Sequence, residues 1–228
     1  MGHGKETPRQ KMIGMMYLFL TAMLALNVSK EILDSFILVE HGVGKTVENF
    51  TKKNELYYNL FTKAATENPA KAAAWNKKAQ EVKAKADDAV NFLHEIRRNI
   101  VKVAGGAEKE PNTLKIDAIT LKDNTDHVPR VMVLEGKGEE LRKKINDYKA
   151  FLISLVDKPE KNKNVIDNIE KTLDTKDPVA KEGKMDTWVT ERFQSLPLIA
   201  SVVFMTIIEG DIRNAEADML SYLYNNID

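Results

Sequence analysis

One short stretch near the N-terminus holds the residues whose types and spacing could do chemistry. Four of its residues are 4, 3 and 4 positions apart: Gln10, Gly14, Tyr17 and Thr21. On a helix this spacing places them on one face. They lie in an apolar run, and hydrocarbon offers hydrogen-bonding groups no partner, so a polar face there predicts contact with other membrane helices. Taken singly, Tyr17 could instead be an interfacial aromatic residue, and Thr21 could bond its own backbone.

Arg9 comes directly before this face, and its guanidinium has two interpretations. It could extend to the cytoplasmic headgroups, or it could pair with a carboxylate from a partner helix at the membrane edge. An ionisable group in a membrane is costly unless it is paired, so the second interpretation would mark an ion or proton route. The spacing leaves both open. Lys5 and Lys11 are predicted to be topology anchors.

Motifs for other chemistries are incomplete. The segment 42–46 reads GVGKT, but Val39 stands where a P-loop needs its first glycine, and the surrounding pattern is helical. His94 is followed by glutamate, yet Arg98 replaces the second histidine of a zinc-protease helix. The carboxylates lie among lysines and are predicted to be solvated. The sequence therefore predicts no catalytic site, no metal site and no cofactor.

The element that must position the polar face is a helix beginning at Pro8. Thr7 is a suitable N-cap, and Met12 to Val28 carries no charge. About 17 residues span roughly 25 Å, which is short for a bilayer crossing. We predict a transmembrane helix over 8–29 that continues into a soluble domain. A cleaved signal peptide is the alternative, but no clear small-x-small cleavage site follows, and the amphipathic pattern continues past that point.

The flanking charges predict the orientation of this helix. Lys5, Arg9 and Lys11 precede the apolar run, whereas Lys30 is followed by several carboxylates. By the positive-inside rule, residues 1–7 are a cytoplasmic tip and residues 30–228 are exported to the periplasm.

The exported part is predicted to be all-α, an antiparallel helical bundle. The first helix extends to about Thr66, and later helices are expected over 69–104, 138–156, 164–173, 186–194 and 197–224. Residues 107–135 are predicted to be mostly loop, with a short extended piece at Leu114, Ile116 and Ala118.

Composition narrows the class of protein further. The formal net charge of the 228-residue chain is zero, so nothing favours nucleic-acid binding. Cysteine is absent, which excludes disulfides and cysteine-ligated metal. Charged residues make up 30% of the chain, and glycine and proline are few, as is typical of a well-ordered helical domain.

Two motifs carry a resemblance to a known family. The segments TPRQKM, MYL and AMLALNVSKEIL resemble the start of the GldM/PorM family, the single-span subunit of the type IX secretion and gliding motor of Bacteroidota. The stretch from Trp188 to IEGDIRNAEADMLSYL is similar to the end of that family's first periplasmic domain.

This resemblance implies a homodimer whose paired membrane helices lie inside a ring of GldL-type multi-span subunits. Proton flow would turn the pair, and further β-rich periplasmic domains, expected beyond this chain, would transmit the motion to outer-membrane components. Arg9 matches the arginine of the family's TPRQK motif, the proposed partner of a membrane glutamate in the GldL-type subunit. Tyr17 lies on the same helical face.

Two other functions fit a helical bundle behind a membrane helix. A sensor would need an output domain in the cytoplasm, and only about a dozen residues precede the apolar run. A passive membrane-anchored scaffold would tolerate replacement of residues 8–28 by any membrane helix of similar length.

Overall fold

The computed structural model describes residues 8–26, 30–105, 116–179 and 186–227, and these ranges contain helices and no β-strand. The predicted all-α class is confirmed. The α-helices are α1 (Pro8–Leu26), α2 (Lys30–Glu67), α3 (Pro69–Val103), α4 (His127–Pro129), α5 (Lys137–Ser154), α6 (Lys163–Thr172), α7 (Trp188–Phe193) and α8 (Leu198–Asn225).

Local signals set the ends of the two longest helices. The side chain of Asn68 accepts a hydrogen bond from the Lys71 backbone N–H at 3.3 Å, and Pro69 takes the first position of α3. The helix α2 continues through Gly42 and Gly44 and is 38 residues long, or about 57 Å. The predicted ends of these helices are confirmed within one residue. Residues 27–29, where α1 was predicted to continue into α2, lie outside the described residues.

The long helices pack around one core, but not all of them are antiparallel. Residue numbers run in opposite directions along α2 and α3, as they do along α3 and α8. Along α2 and α8 they rise together, since Glu40 lies beside Thr206 and Asn54 beside Glu216. The prediction of an antiparallel bundle is therefore wrong for this pair. The chain between α5 and α8 is long enough, with α6 and α7 in it, to return to the end of the bundle where α2 begins.

The apolar stripes predicted from spacing form the core. Every seventh residue of α2 is buried from Leu33 to Phe61, and the whole predicted stripe of α8 from Leu198 to Tyr222 is buried. On α3 the predicted stripe is buried from Ala79 to Ile100, whereas Val103 is largely exposed at the helix end. The core thus lies between α2, α3, α5 and α8.

The connection between α3 and α5 differs from the prediction. Residues 116–118 form a 3-10 turn and residues 130–134 a π-helical turn, so the predicted extended piece is wrong at Ile116 and Ala118. Leu114 lies outside the described residues. Ile116 and Ile119 are both buried, and their three-residue spacing suits a helical turn rather than a strand.

Candidate functional site

The predicted partner-facing residues lie on α1. Within the described side chains, Arg9, Gln10, Lys11, Gly14 and Tyr17 are exposed. The continuous helix gives Gln10, Gly14 and Tyr17 the spacing of one face. Thr21 belongs to α1 by its backbone, but its side chain, like all of Lys5, lies outside the described part of the chain. The roles predicted for these residues remain predictions.

The apolar side chains of α1 are also exposed. Between 56% and 72% of their surface is accessible at six positions: Met12, Ile13, Met15, Met16, Tyr17 and Leu18. These nearly consecutive positions cover the whole circumference of the helix. A helix that is apolar all round is typically buried in a protein core or in a membrane.

In the ranges that the structure describes, no helix meets both the length and the hydropathy expected of a membrane span. The predicted span over 8–29 is therefore not confirmed.

A buried polar cluster holds the first half of α2 against α3 and α8. Arg97 Nη2 donates to Glu40 Oε1 at 2.6 Å, and Nη1 donates to Thr206 Oγ1 at 2.7 Å. All three side chains are nearly inaccessible to solvent. We call these residues the Arg97 cluster. It joins three long helices through one guanidinium, whose rigid fork suits this kind of contact.

A second cluster lies further along the same three helices. The fully buried Glu216 accepts hydrogen bonds from Asn54 Nδ2 at 2.9 Å, from the Tyr58 hydroxyl, and from Arg213 Nη1 at 2.8 Å. Arg213 Nη2 donates to Asp87 Oδ1 at 2.9 Å, which adds α3. We call these five residues the Glu216 cluster.

The electrostatics of the Glu216 cluster follow from burial and from its charges. Burial raises the pKa of the Tyr58 hydroxyl, and the negative charge of Glu216 raises it further. Burial acts against the charge of Arg213, yet Glu216 and Asp87 together raise its pKa. Burial also acts to raise the pKa of Asp87, but hydrogen bonds from Lys83 and Arg213 lower it overall. At neutral pH the Tyr58 hydroxyl is therefore neutral, whereas Arg213 and Asp87 carry their charges.

A further polar contact lies between the two clusters. His94 Nε2 is 2.9 Å from Glu209 Oε2, and both side chains are mostly buried. The IEGDIRNAE motif has four charged residues after Ile208, and these differ in what they contact. Glu209, Arg213 and Glu216 bind residues of α2 or α3, whereas Asp211 lines a small cavity of about 120 Å³ between α5, α6, α7 and α8.

The prediction that the carboxylates are solvated is wrong for Glu40, Glu209 and Glu216. Sequence reasoning missed these residues because it treated all carboxylates alike, although the lysine-rich segments are on α2 and α3 and α8 contains no lysine. One signal could have found the α8 residues. Charges inside a helix that is otherwise apolar all round must lie in the core, and a buried charge needs a partner.

Within the described residues, no group of three or more histidine, cysteine or carboxylate side chains could hold a metal ion. The two clusters instead resist sliding of α2 against α3 and α8, because each hydrogen bond would have to break in a solvent-free setting. A movement applied to α2 would therefore be passed to the whole bundle.

The fold and the clusters define an all-α bundle organised along one long, firmly held helix. The family model described as the GldM N-terminal domain matches residues 31–226, and the chain belongs to the GldM/PorM family. The family provides components of the gliding and type IX secretion machinery that associate with the inner membrane and are structural rather than catalytic. The match begins at Glu31 and so excludes α1. No curated protein matches the chain.

Proposed function

We propose that this chain is the single-span subunit of a proton-driven inner-membrane motor for type IX secretion and gliding. Two copies pair through α1, the pair lies within a ring of GldL-type multi-span subunits, and the bundle lies in the periplasm. Periplasmic and outer-membrane components would receive the motion through further domains. Family membership supports the assignment to the secretion and gliding machinery. The residues of α1 and α2 support the proposed motor mechanism.

The single observation that carries the proposal is the all-round exposure of the apolar residues of α1. The six large apolar side chains from Met12 to Leu18 are each more than half exposed in the described part of the chain. Exposed apolar surface of this extent marks a membrane or partner contact. Insertion between lipid and other membrane helices would cover it, with residues 27–29 completing the predicted span.

Arg9 is the residue through which the ring would act. It lies in the first turn of α1 and is exposed. A carboxylate on a GldL-type subunit would pair with its guanidinium, and protonation of that carboxylate would release the pair. Successive capture and release by neighbouring ring subunits would turn α1.

Rotation would reach the periplasm through α2. This helix follows α1 after three residues, and both buried polar clusters hold it in the bundle. A flexible linker would dissipate the motion, whereas a helix transmits it.

The test compares Arg9→Ala with Lys11→Ala in cells that secrete and glide. Both variants remove one exposed positive charge from the first turns of α1. We expect Arg9→Ala to abolish secretion while the chain still inserts and co-purifies with the multi-span subunits, and we expect Lys11→Ala to secrete normally. Full secretion by Arg9→Ala would overturn the coupling role.

A replacement of residues 8–28 by an unrelated apolar helix separates the motor from a passive scaffold. A motor loses secretion in this chimera even when the bundle is correctly exported. Normal secretion would show that α1 is only an anchor.

A further inference from the structure

The helix α2 has a second stripe, on the side away from the bundle core, that combines three apolar residues and a glycine with three polar residues. We propose that this stripe binds the same stripe of a second copy of the chain, with the two α2 helices parallel. We call it the outer seam and define it by Val39, Gly42, Thr46, Asn49, Lys53, Leu56 and Leu60. The inference rests on the proposed pairing of two copies and adds where they touch outside the membrane.

Exposed apolar residues and heptad spacing together define the outer seam, and Leu38, which is 75% exposed, lies directly beside it. Val39, Leu56 and Leu60 are 50%, 65% and 41% exposed, so the bundle leaves much of their apolar surface uncovered. The seam positions are separated by alternating steps of 3 and 4, the pattern of a coiled-coil interface. The buried stripe from Leu33 to Phe61 has the same seven-residue repeat on another side of the helix. The helix α2 therefore carries two packing stripes, and the bundle uses one of them.

Gly42 indicates a close approach at the seam. A glycine within a helix costs about 1 kcal/mol relative to alanine. A Cβ atom at position 42 would meet no heavy atom of this chain within 4 Å, so packing inside the bundle does not require the glycine. A second helix that crosses closely at this point would have room for a glycine but not for a larger side chain. Gly44 has the same open space but lies off the seam, which makes it a matched control.

Asn49 favours a second copy over lipid as the occupant of the seam. Its side chain is exposed and carries both a donor and an acceptor. In a parallel pair of helices each seam residue lies opposite the same residue of the other copy, so two Asn49 amides could donate to and accept from each other. Buried asparagines of this kind fix the register of a coiled coil. Lipid would leave the amide without a partner.

Lys53 is the one charged residue of the seam, and α8 supplies a counter-charge near it. Burial raises the pKa of Asp218 on α8, and the positive charge of Lys53 acts against this rise, so the two opposite charges interact. A nearby carboxylate reduces the repulsion that two Lys53 ammonium groups would meet across the seam. Lys53 can therefore lie at the edge of the contact between two copies, with its charged end in solvent.

One row of the seam continues one row of α1, whereas Gln10 and Tyr17 are in register with Leu38 and Lys45, which lie beside the seam. Gly14 and Gly42 are 28 positions apart, as are Thr21 and Asn49, and this separation is four heptads. With the helix continuous through residues 27–29, as predicted, the partner-facing side of α1 and the outer seam of α2 share these heptad positions. Two copies paired through α1 would bring their outer seams to the same side.

Single cysteines test the contact, since the chain has none of its own. Val39→Cys and Leu56→Cys place a thiol on the seam, Glu48→Cys and Glu55→Cys place one on another exposed side of α2, and Gly14→Cys reports pairing through α1. Each variant is expressed as the full chain in membranes and oxidised. We expect a covalent dimer from positions 39, 56 and 14, with yields at least several-fold above those at 48 and 55.

The outcomes separate this inference from the proposed function. Cross-linking at 14 but not at 39 or 56 would leave the α1 pairing intact and overturn the outer seam. Equal yields on and off the seam would also overturn it. Cross-linking at 39 and 56 without 14 would support the seam and contradict pairing through α1. No cross-linking at any position would overturn both.

Gly42→Ala gives a second, independent measurement. In the Val39→Cys background we expect Gly42→Ala to reduce the dimer yield several-fold, because a methyl group holds the helices apart, while Gly44→Ala leaves the yield unchanged. Both glycine variants should keep or raise the melting temperature, since alanine favours the helix and meets no clash. Equal yields for the two variants would overturn the close approach at Gly42.

Discussion

Arg97 Nη2 lies 2.6 Å from Glu40 Oε1, and both side chains are almost fully buried. The same nitrogen-to-oxygen distance separates Lys52 from Glu48 on the surface of α2. The two ion pairs therefore differ in solvent exposure and not in length. Burial decides their energetic roles, because a charge left alone in the core has no water to compensate for the lost partner.

Removing Arg97 should destabilise the bundle strongly. Arg97→Met leaves the Glu40 carboxylate buried without its cation, and we expect the free energy of unfolding to fall by about 3–5 kcal/mol. Lys52→Met breaks a pair of equal length on the surface and should leave the free energy of unfolding almost unchanged. Urea unfolding followed by circular dichroism measures both. Equal losses in the free energy of unfolding for the two variants would contradict the conclusion that burial sets the energetic role of each pair.

The double variant Glu40→Leu with Arg97→Met removes both charges from the core. It should regain most of the stability that Arg97→Met loses, because apolar side chains of similar size can replace a buried pair. A secretion assay on the double variant then tests whether the ion pair is needed for the transmission of motion as well as for stability. If the pair serves only to hold α2 in register, the restored variant should secrete normally, and a stable but inactive double variant would contradict this.

Two buried tyrosines should respond differently to the loss of their hydroxyl groups. Tyr58 donates to Glu216, so Tyr58→Phe should lower the free energy of unfolding by about 1.5–3 kcal/mol. The Tyr148 hydroxyl has no hydrogen-bond partner in the described part of the chain, so Tyr148→Phe should cost little or stabilise. Thermal unfolding measures the stability of each variant relative to the parent chain. A larger loss for Tyr148→Phe would indicate a partner at that hydroxyl, such as a buried water molecule.

Asp211 should make stability depend on pH. Burial raises its pKa to about 6 from the ordinary 3.8, although Arg192 acts to lower it. The folded state therefore keeps the proton at pH values where the unfolded state has lost it. Stability from this group is fully present below about pH 4, falls as the pH rises to about 6, and stays low above that.

Asp211→Asn should remove this dependence. At pH 7 we expect the free energy of unfolding to rise by about 1–2 kcal/mol, a value reduced because the side chain is partly exposed. Near pH 3.5 the variant and the parent chain should be similar. Asp167→Asn on the exposed side of α6 serves as the control and should shift neither value. Parallel pH profiles for the Asp211 variant and the parent would contradict the assignment.

Two glycines with a positive φ should differ in their tolerance of alanine. At Gly105, with φ at 84°, a Cβ atom would lie 2.2 Å from Thr120 Oγ1, which donates to the Ala104 carbonyl at 2.7 Å. At Gly136, with φ at 75°, it would meet nothing within 4 Å. Gly136→Ala should cost only the backbone strain of about 1 kcal/mol, and Gly105→Ala should cost more. Chemical unfolding compares the two, and equal costs would show that Thr120 moves aside.

Local capping residues and the regular spacing of apolar residues along single helices made much of the fold predictable. The N-cap Asn68 with Pro69 marked the start of α3, and the stripe from Leu198 to Tyr222 marked the buried side of α8. Such signals depend on neighbours within one or two turns. The extended piece at Ile116 was wrong because the turn at 116–118 packs against α2, where His41 contacts Asp117, and a local pattern does not contain that contact.

The sequence predicted the helix that carries the partner-facing residues but not the two buried clusters. Gln10, Gly14 and Tyr17 lie on one helix, as the spacing required. Glu216 looked like a solvated carboxylate, yet its partners Asn54 and Tyr58 are about 160 positions away. The parallel packing of α2 and α8 brings them together, and spacing within a helix carries no information about which helices pair.

The sequence by itself determined that this protein is helical, where its main helices begin and end, and which stripe of each enters the core, because hydrophobic periodicity and capping are local effects. Tertiary structure alone decided that α8 runs parallel to α2 and that Arg97 and Glu216 become the centres of buried clusters. The physical reason is that a charged side chain becomes buried only when a helix distant in sequence packs over it and excludes water. Which helices pack together depends on the whole chain.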